Sequence, residues 1–167
     1  MFIDQSDVSM MQIGGYDLDK YAKGPITWHN ITSYWWWQLH FDDVRVGDFT
    51  FTPSTNKCIT DSGASSNILP LVDYNKIVNH FFSNSTCEWL GNGLKTCHCT
   101  ASEHAAIPDI TFNMDGTRYM IPRDEWYVRE PDSGMCIIKI MNSPVKHDWS
   151  LGLNFLTTYY TVFDYEN

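Results

Sequence analysis

The sequence predicts a single all-β domain with one or two short helices. Three observations carry that expectation. Apolar residues fall in short runs that alternate or cluster, and turn residues punctuate them. Clear helical periodicity is confined to one stretch. Hydrophobic residues make up 43% of the 167 positions and aromatics 15%, enough apolar material for one packed core.

Taken in order, "SMMQIGG" reads as an opening strand, and "WWWQLHFDDVRVGDFTF" as strands separated by turns. The cluster Tyr34-Trp35-Trp36-Trp37 runs directly into Gln38, His40, Asp42 and Asp43, so it is read as a strand with aromatic faces. Cys58-Ile59-Thr60 is short and apolar enough for a buried strand. "PLVDYNKIVNHFF" puts Leu71, Tyr74, Ile77, Val78 and Phe81 at helical spacing behind Pro70, a residue suited to a helix start. "DITFNMDGTRYMI" is the clearest hairpin, because Asp115-Gly116 suits the positive φ angles of a type I′ turn. "PRDEWYV" and "GLNFLTTY" each suit a helical turn. The run Tyr159 to Phe163 is rich in strand formers and predicts a last strand.

The net charge of −9 argues against nucleic acid or an anionic membrane surface as partner. No apolar run approaches the ~18–20 residues that a membrane-spanning helix needs. Five cysteines (Cys58, Cys87, Cys97, Cys99, Cys136) and two glycosylation sequons, at Asn30 and Asn84, together favour an oxidising secretory route. The start "MFIDQSDVSMMQ" lacks the basic and apolar regions of a signal peptide, so the expectation is a fragment or a chain that is not secreted.

The tripeptide Asp-Ser-Gly occurs twice, at Asp61 and at Asp132. Around Asp61 a buried strand leads into a tight turn, Asp61-Ser62-Gly63, followed by Ala64-Ser65-Ser66 and then the amphipathic helix. Such a turn holds a carboxylate with backbone N–H groups and small hydroxyls, which fixes its position and limits desolvation. Around Asp132 the preceding residues are Arg129, Glu130 and Pro131, where a buried strand would be needed, and proline cannot donate to a ladder. That copy reads as a β-turn in a hairpin loop.

The segment "CITDSGASSNILP" resembles the second catalytic loop of pepsin-like aspartic proteases. "MMQIGGYD", "GPITWHNITSYWWWQLHFDDVRVGD", "IPDITFNMDGTRYMIP" and "WSLGLNFLTTYYTVFD" resemble further segments of the C-terminal lobe, in the same order. The resemblance covers nearly the whole chain. It implies one lobe of the acid-protease double-psi β-barrel fold, residues 1–167, incomplete at both ends. It implies that Asp61 is the second catalytic aspartate and that Ser62 braces the two active-site loops. Gly63, Ala64 and Ser65 complete the loop, and Leu151-Gly152 is the hydrophobic-glycine element behind it. Trp36, Ile59 and Ser150 fall where the family lines substrate pockets, although Ser150 and Thr60 depart from the usual apolar residues. The resemblance also implies a Cys99–Cys136 bridge, with Cys97 as the other candidate for Cys99. Cys87 would pair with the remaining thiol, leaving Cys58 as a buried free thiol.

No cofactor or metal is expected. Zinc at Cys87, Cys97, His98 and Cys99 is disfavoured, since no paired Cys-x-x-Cys spacing is present. The six histidines are scattered, and none stands in a nucleophile motif. The resemblance therefore implies an aspartic endopeptidase half acting on peptide or protein substrates, in a lysosome, vacuole or outside the cell. Its partner aspartate would come from an N-terminal lobe or from a second copy across a two-fold axis. The competing reading is a non-catalytic peptide-binding or inhibitor-like lobe that keeps the fold.

Overall fold

A computed structural model describes residues 9–90, 93–145 and 147–165. Its strands in chain order are β1 Gln38–His40, β2 Asp42–Val46, β3 Phe49–Phe51, β4 Lys57–Thr60, β5 Asn67–Pro70, β6 Cys87–Trp89, β7 Lys95–His98, β8 Ile110–Met114, β9 Thr117–Ile121, β10 Tyr127–Glu130, β11 Met135–Ile138, β12 Ile140–Ser143 and β13 Trp149–Leu151. The helices are α1 Leu18–Tyr21, α2 Leu71–Phe82, α3 Ala101–Ala106, α4 Arg123–Trp126 and α5 Leu153–Leu156.

The strands form three sheets, ordered β1-β4-β13-β5-β12, β10-β11-β7-β6 and β3-β2-β8-β9. The five-stranded sheet is mixed. β4 runs parallel to β13 and antiparallel to β1, while β5 runs parallel to β12. β13 meets β5 antiparallel at the single pair Ser150–Ile68. This sheet therefore brings residues 57–70 and 149–151 side by side, although some eighty positions separate them in the chain.

Aromatic side chains join the layers. Phe41 meets Trp149 at 5.1 Å and Phe112 at 5.9 Å between ring centroids, which locks β13 against the β8 sheet. Phe82 of α2 meets Trp126 at 6.3 Å and Tyr127 at 4.8 Å, tying that helix to α4 and β10. Trp149, Trp126, Phe41 and Phe112 are fully buried. Each such side chain stabilises the fold by roughly 1.5–3 kcal/mol relative to exposure.

The α2 helix buries Tyr74, Ile77, Val78 and Phe82. Leu71 is exposed and Phe81 only partly buried, so the buried stripe ends on Phe82 rather than Phe81. The hairpin at 115–116 forms as predicted. Asp115 and Gly116 have φ of 48° and 83°, and Met114 pairs with Thr117. The Asp132 copy lies in the loop between β10 and β11, with Glu130 opposite Met135 and Gly134 at φ 64°. Helices α4 and α5 occupy the two predicted helical turns.

Several expectations fail. The all-β class holds; beside the twelve-residue α2 the described residues add four helical turns of four to six residues. Helix α3 was legible, because Thr100 and Glu103 form a capping box: the Thr100 hydroxyl accepts the Glu103 N–H at 3.1 Å and Glu103 accepts the Thr100 N–H at 2.7 Å. In "SMMQIGG" only Met10 makes a bridge, and Met11 and Ile13 are exposed. Tyr34, Trp35 and Trp36 form an exposed bend before β1 rather than a strand. Tyr159 to Phe163 is not a strand either. Its side chains do the docking: the Tyr159 hydroxyl accepts the Met120 N–H at 2.8 Å, and Phe163 lies 5.0 Å from Trp37. The Tyr159 hydroxyl thus occupies an N–H of β9 that a neighbouring strand would have used. Strand propensity becomes a strand only where the backbone itself pairs with a sheet edge.

Candidate active site

Asp61 is positioned from behind. On β4, Cys58 and Thr60 point inward, as the alternation of a half-buried strand requires. Thr60 N–H donates to Trp37 O at 3.0 Å, and the Asp61 N–H donates to Leu151 O at 2.9 Å. The turn closes through Ala64 N–H to Asp61 O at 3.2 Å, while Gly63 N–H donates to Asp61 Oδ1 at 3.0 Å. The carboxylate is thereby held by backbone and remains half-buried, while Ser62 and Ser65 are exposed. A backbone N–H bonded to a carboxylate is a charge-assisted contact, stronger than one between neutral groups.

Gly152 closes against this loop. A Cβ there would sit 2.5 Å from Ser66 O and 2.6 Å from Ala64 O, so no larger residue fits without moving backbone. Leu153 N–H donates to Ala64 O at 2.9 Å, and Gly152 N–H donates to Asn67 Oδ1 at 2.8 Å. Leu151 is buried. The structure thus bonds Asp61 to Leu151 and Ala64 to Leu153, while Gly63 bonds to the Asp61 carboxylate.

Ile59 is half-buried, with Gln38 opposite it on β1 and Ser150 opposite it on β13. Ser150 is only 1% exposed and Trp36 is 63% exposed, two residues before Gln38 on the bend. Asn30 and Asn84 are both exposed. Disulfides join Cys99 to Cys136 and Cys87 to Cys97. These four sulfurs are therefore not available as thiolate ligands. Cys58 is free and buried, and burial pushes its thiol well above the ordinary range, which disfavours the reactive thiolate. Among the described residues no cluster of histidine, cysteine, aspartate and glutamate is arranged to hold a metal.

Two residues at the site escaped sequence reasoning. Asp73, fully buried in the first turn of α2, accepts from Ser54 N–H at 2.9 Å, Ser54 Oγ at 2.8 Å, Lys76 Nζ at 3.0 Å and Trp149 Nε1 at 2.9 Å. It anchors the start of β13, two residues before Leu151. Asn67, also fully buried, anchors the end of β13 through Gly152. The available signals were an acidic residue in a helix first turn with a lysine three positions on, and a polar side chain inside the apolar stretch "NILP".

This is an all-β lobe that presents one backbone-held carboxylate in front of a leucine-glycine strand end. The eukaryotic aspartyl protease family model matches residues 1–167, and the chain belongs to that family. It is 28% identical to pepsin A of Gallus gallus over 162 residues, covering 95% of this chain and 41% of that protein. It is 29% identical to embryonic pepsinogen of Gallus gallus over 160 residues, covering 95% of this chain and 39% of that protein. It is 26% identical to cathepsin D of Canis lupus familiaris over 161 residues, covering 92% of this chain and 38% of that protein. The chain thus spans about two fifths of the length of the curated relatives it matches.

Proposed function

We propose that this chain is the C-terminal lobe of an aspartic endopeptidase and that Asp61 is one of its two catalytic carboxylates. The observation that carries the reading is the seating of Asp61. Its N–H is bonded to Leu151 O and its Oδ1 to Gly63 N–H, within a chain of the aspartyl protease family. The second aspartate comes from an N-terminal lobe or a second copy of the chain. Two carboxylates about 3 Å apart cannot both ionise, so they share a proton and titrate as a pair. The ionised member takes a proton from a water, and the protonated member polarises the scissile carbonyl. Water attacks that carbon with no covalent enzyme intermediate. The substrate is a peptide or protein. Two disulfides support a secretory route, leading to a lysosome, a vacuole or the outside of the cell.

The test begins with the coding sequence upstream of residue 1. It should contain an apolar strand followed by Asp-Thr-Gly or Asp-Ser-Gly; its absence, together with a monomeric chain that cleaves no peptide between pH 3 and 7, would sink the reading. In the complete protein, Asp61→Asn should abolish peptide cleavage. If neither form cleaves and both bind a pepstatin-like ligand equally, the lobe is a non-catalytic binding module.

A further inference from the structure

We propose that Asn67 is a positioning residue for Asp61, acting through the Leu151–Gly152 peptide; this deepens the endopeptidase reading and rests on it. One peptide unit links the two residues. Its carbonyl, Leu151 O, receives the Asp61 N–H at 2.9 Å, and its N–H, on Gly152, donates to Asn67 Oδ1 at 2.8 Å. A peptide is planar, so fixing the direction of its N–H fixes the direction of its C=O. The Asn67 side chain therefore sets the carbonyl on which the catalytic residue hangs.

Local sterics do not do this. Glycine has the broadest backbone freedom, and Gly152 must be glycine because the Ser66 and Ala64 carbonyls leave no room for a Cβ. The plane needs an outside anchor. The other contacts between loop and strand end, Asp61 N–H to Leu151 O and Leu153 N–H to Ala64 O, are main chain to main chain. Asn67 supplies a side-chain bond that depends on residue type.

Asn67 also carries an unfavourable feature that this role explains. It is fully buried, and its Nδ2 has no hydrogen-bond partner. A leucine, which shares the side-chain branching of asparagine but is bulkier, would leave no unpaired amide at that point of β5, but it would offer Gly152 N–H no acceptor. Neighbours on either side reinforce the arrangement. Ile68 pairs with Ser150 across the same strands, and Asp73 holds Trp149 at the other end of β13. The Asn67 bond is the one placed directly at the carbonyl's own peptide.

The experiment compares Asn67→Leu and Asn67→Asp in the complete protein, the second keeping an acceptor. Amide hydrogen exchange is read at Asp61, at Gly152 and at the slowest amides of β8, alongside kcat and KM on a peptide substrate. Asn67→Leu is expected to speed exchange at Asp61 by roughly tenfold or more relative to β8. It should lower kcat on the order of 10–100-fold and leave KM within about threefold. Asn67→Asp should retain the Asp61 protection and stand nearer the parent in kcat. Equal acceleration at Asp61 and β8, no acceleration at Asp61, or equal damage from both variants would overturn the proposal. If Asn67→Leu does not fold, Asn67→Ser, whose shorter hydroxyl falls short of Gly152, takes its place under the same criteria. A parent that cleaves no peptide defeats the endopeptidase reading instead, and the exchange arm then decides the role of Asn67 alone.

Discussion

The chain spells Asp-Ser-Gly twice, and the two copies differ in everything except their letters. At 61–63 the turn leaves a buried strand, and its first residue is bonded to a second strand through Leu151 O. At 132–134 the turn joins two neighbouring antiparallel strands, follows a proline and is exposed apart from half-buried Gly134. The glycines differ too. Gly134 is needed for its φ of 64°, with nothing within 4 Å of a would-be Cβ, whereas Gly63 lies close to the carboxylate itself, its would-be Cβ 3.3 Å from Asp61 Oδ1. A motif becomes a site when non-local strands seat it; the same residues closing a local hairpin make only a turn.

The largest expected effect tests that contrast directly. In the complete protein, Asp61→Asn should reduce kcat/KM by about 10²–10⁴-fold or more, while Asp132→Asn should leave it unaltered. A comparable loss from both would erase the distinction. Next comes the support behind the first turn. Asp73→Ala leaves Trp149 Nε1 and Ser54 N–H without their buried acceptor, and it should lower unfolding stability by about 3 kcal/mol, read from urea melts. Substitution at Asp132 should change it by less than about 0.5 kcal/mol.

A subtler contrast lies in the glycines. Gly152→Ala drives a methyl into two carbonyl oxygens and should destabilise by about 1–3 kcal/mol with loss of activity. Gly134→Ala should cost about 1–2 kcal/mol through its left-handed backbone alone and spare activity. A further effect is expected at alkaline pH. Burial pushes Tyr74 and Tyr127 up to about 12. Both pKa values are raised on folding, so this contribution is complete below pH ~10 and is lost as pH rises toward 12. Absorbance titration should find Tyr74 and Tyr127 ionising late and together with unfolding, with Tyr119 and Tyr159 also shifted up by burial. Ordinary titration of all nine tyrosines in the folded protein would contradict their burial.

Much of the fold was legible from local chemistry. Asp115-Gly116 needed only its own turn preferences, and α2 only its spacing. The candidate catalytic turn was legible because its neighbours Cys58, Ile59 and Thr60 are strand formers and the segment resembles a known loop. The failures share one cause. Tyr34 to Trp37 and Tyr159 to Phe163 have the composition of strands, but composition does not place a backbone in register beside a sheet edge. In this structure Tyr159 and Phe163 dock through a hydroxyl and a ring.

By itself, the sequence determined the β-rich class, the helix after Pro70, the glycines that its turns require and the contrast between an Asp-Ser-Gly that follows Cys-Ile-Thr and one that follows Arg-Glu-Pro. Tertiary structure decided that Cys99 rather than Cys97 joins Cys136, that β13 lies between β4 and β5, and that Asn67 and Asp73 grip its two ends. Propensity and turn geometry act over a few residues, so they can be read along the chain. The contacts that tie the Asp61 loop to the end of β13 span some eighty to ninety positions, and they exist only once the sheet has brought those positions together.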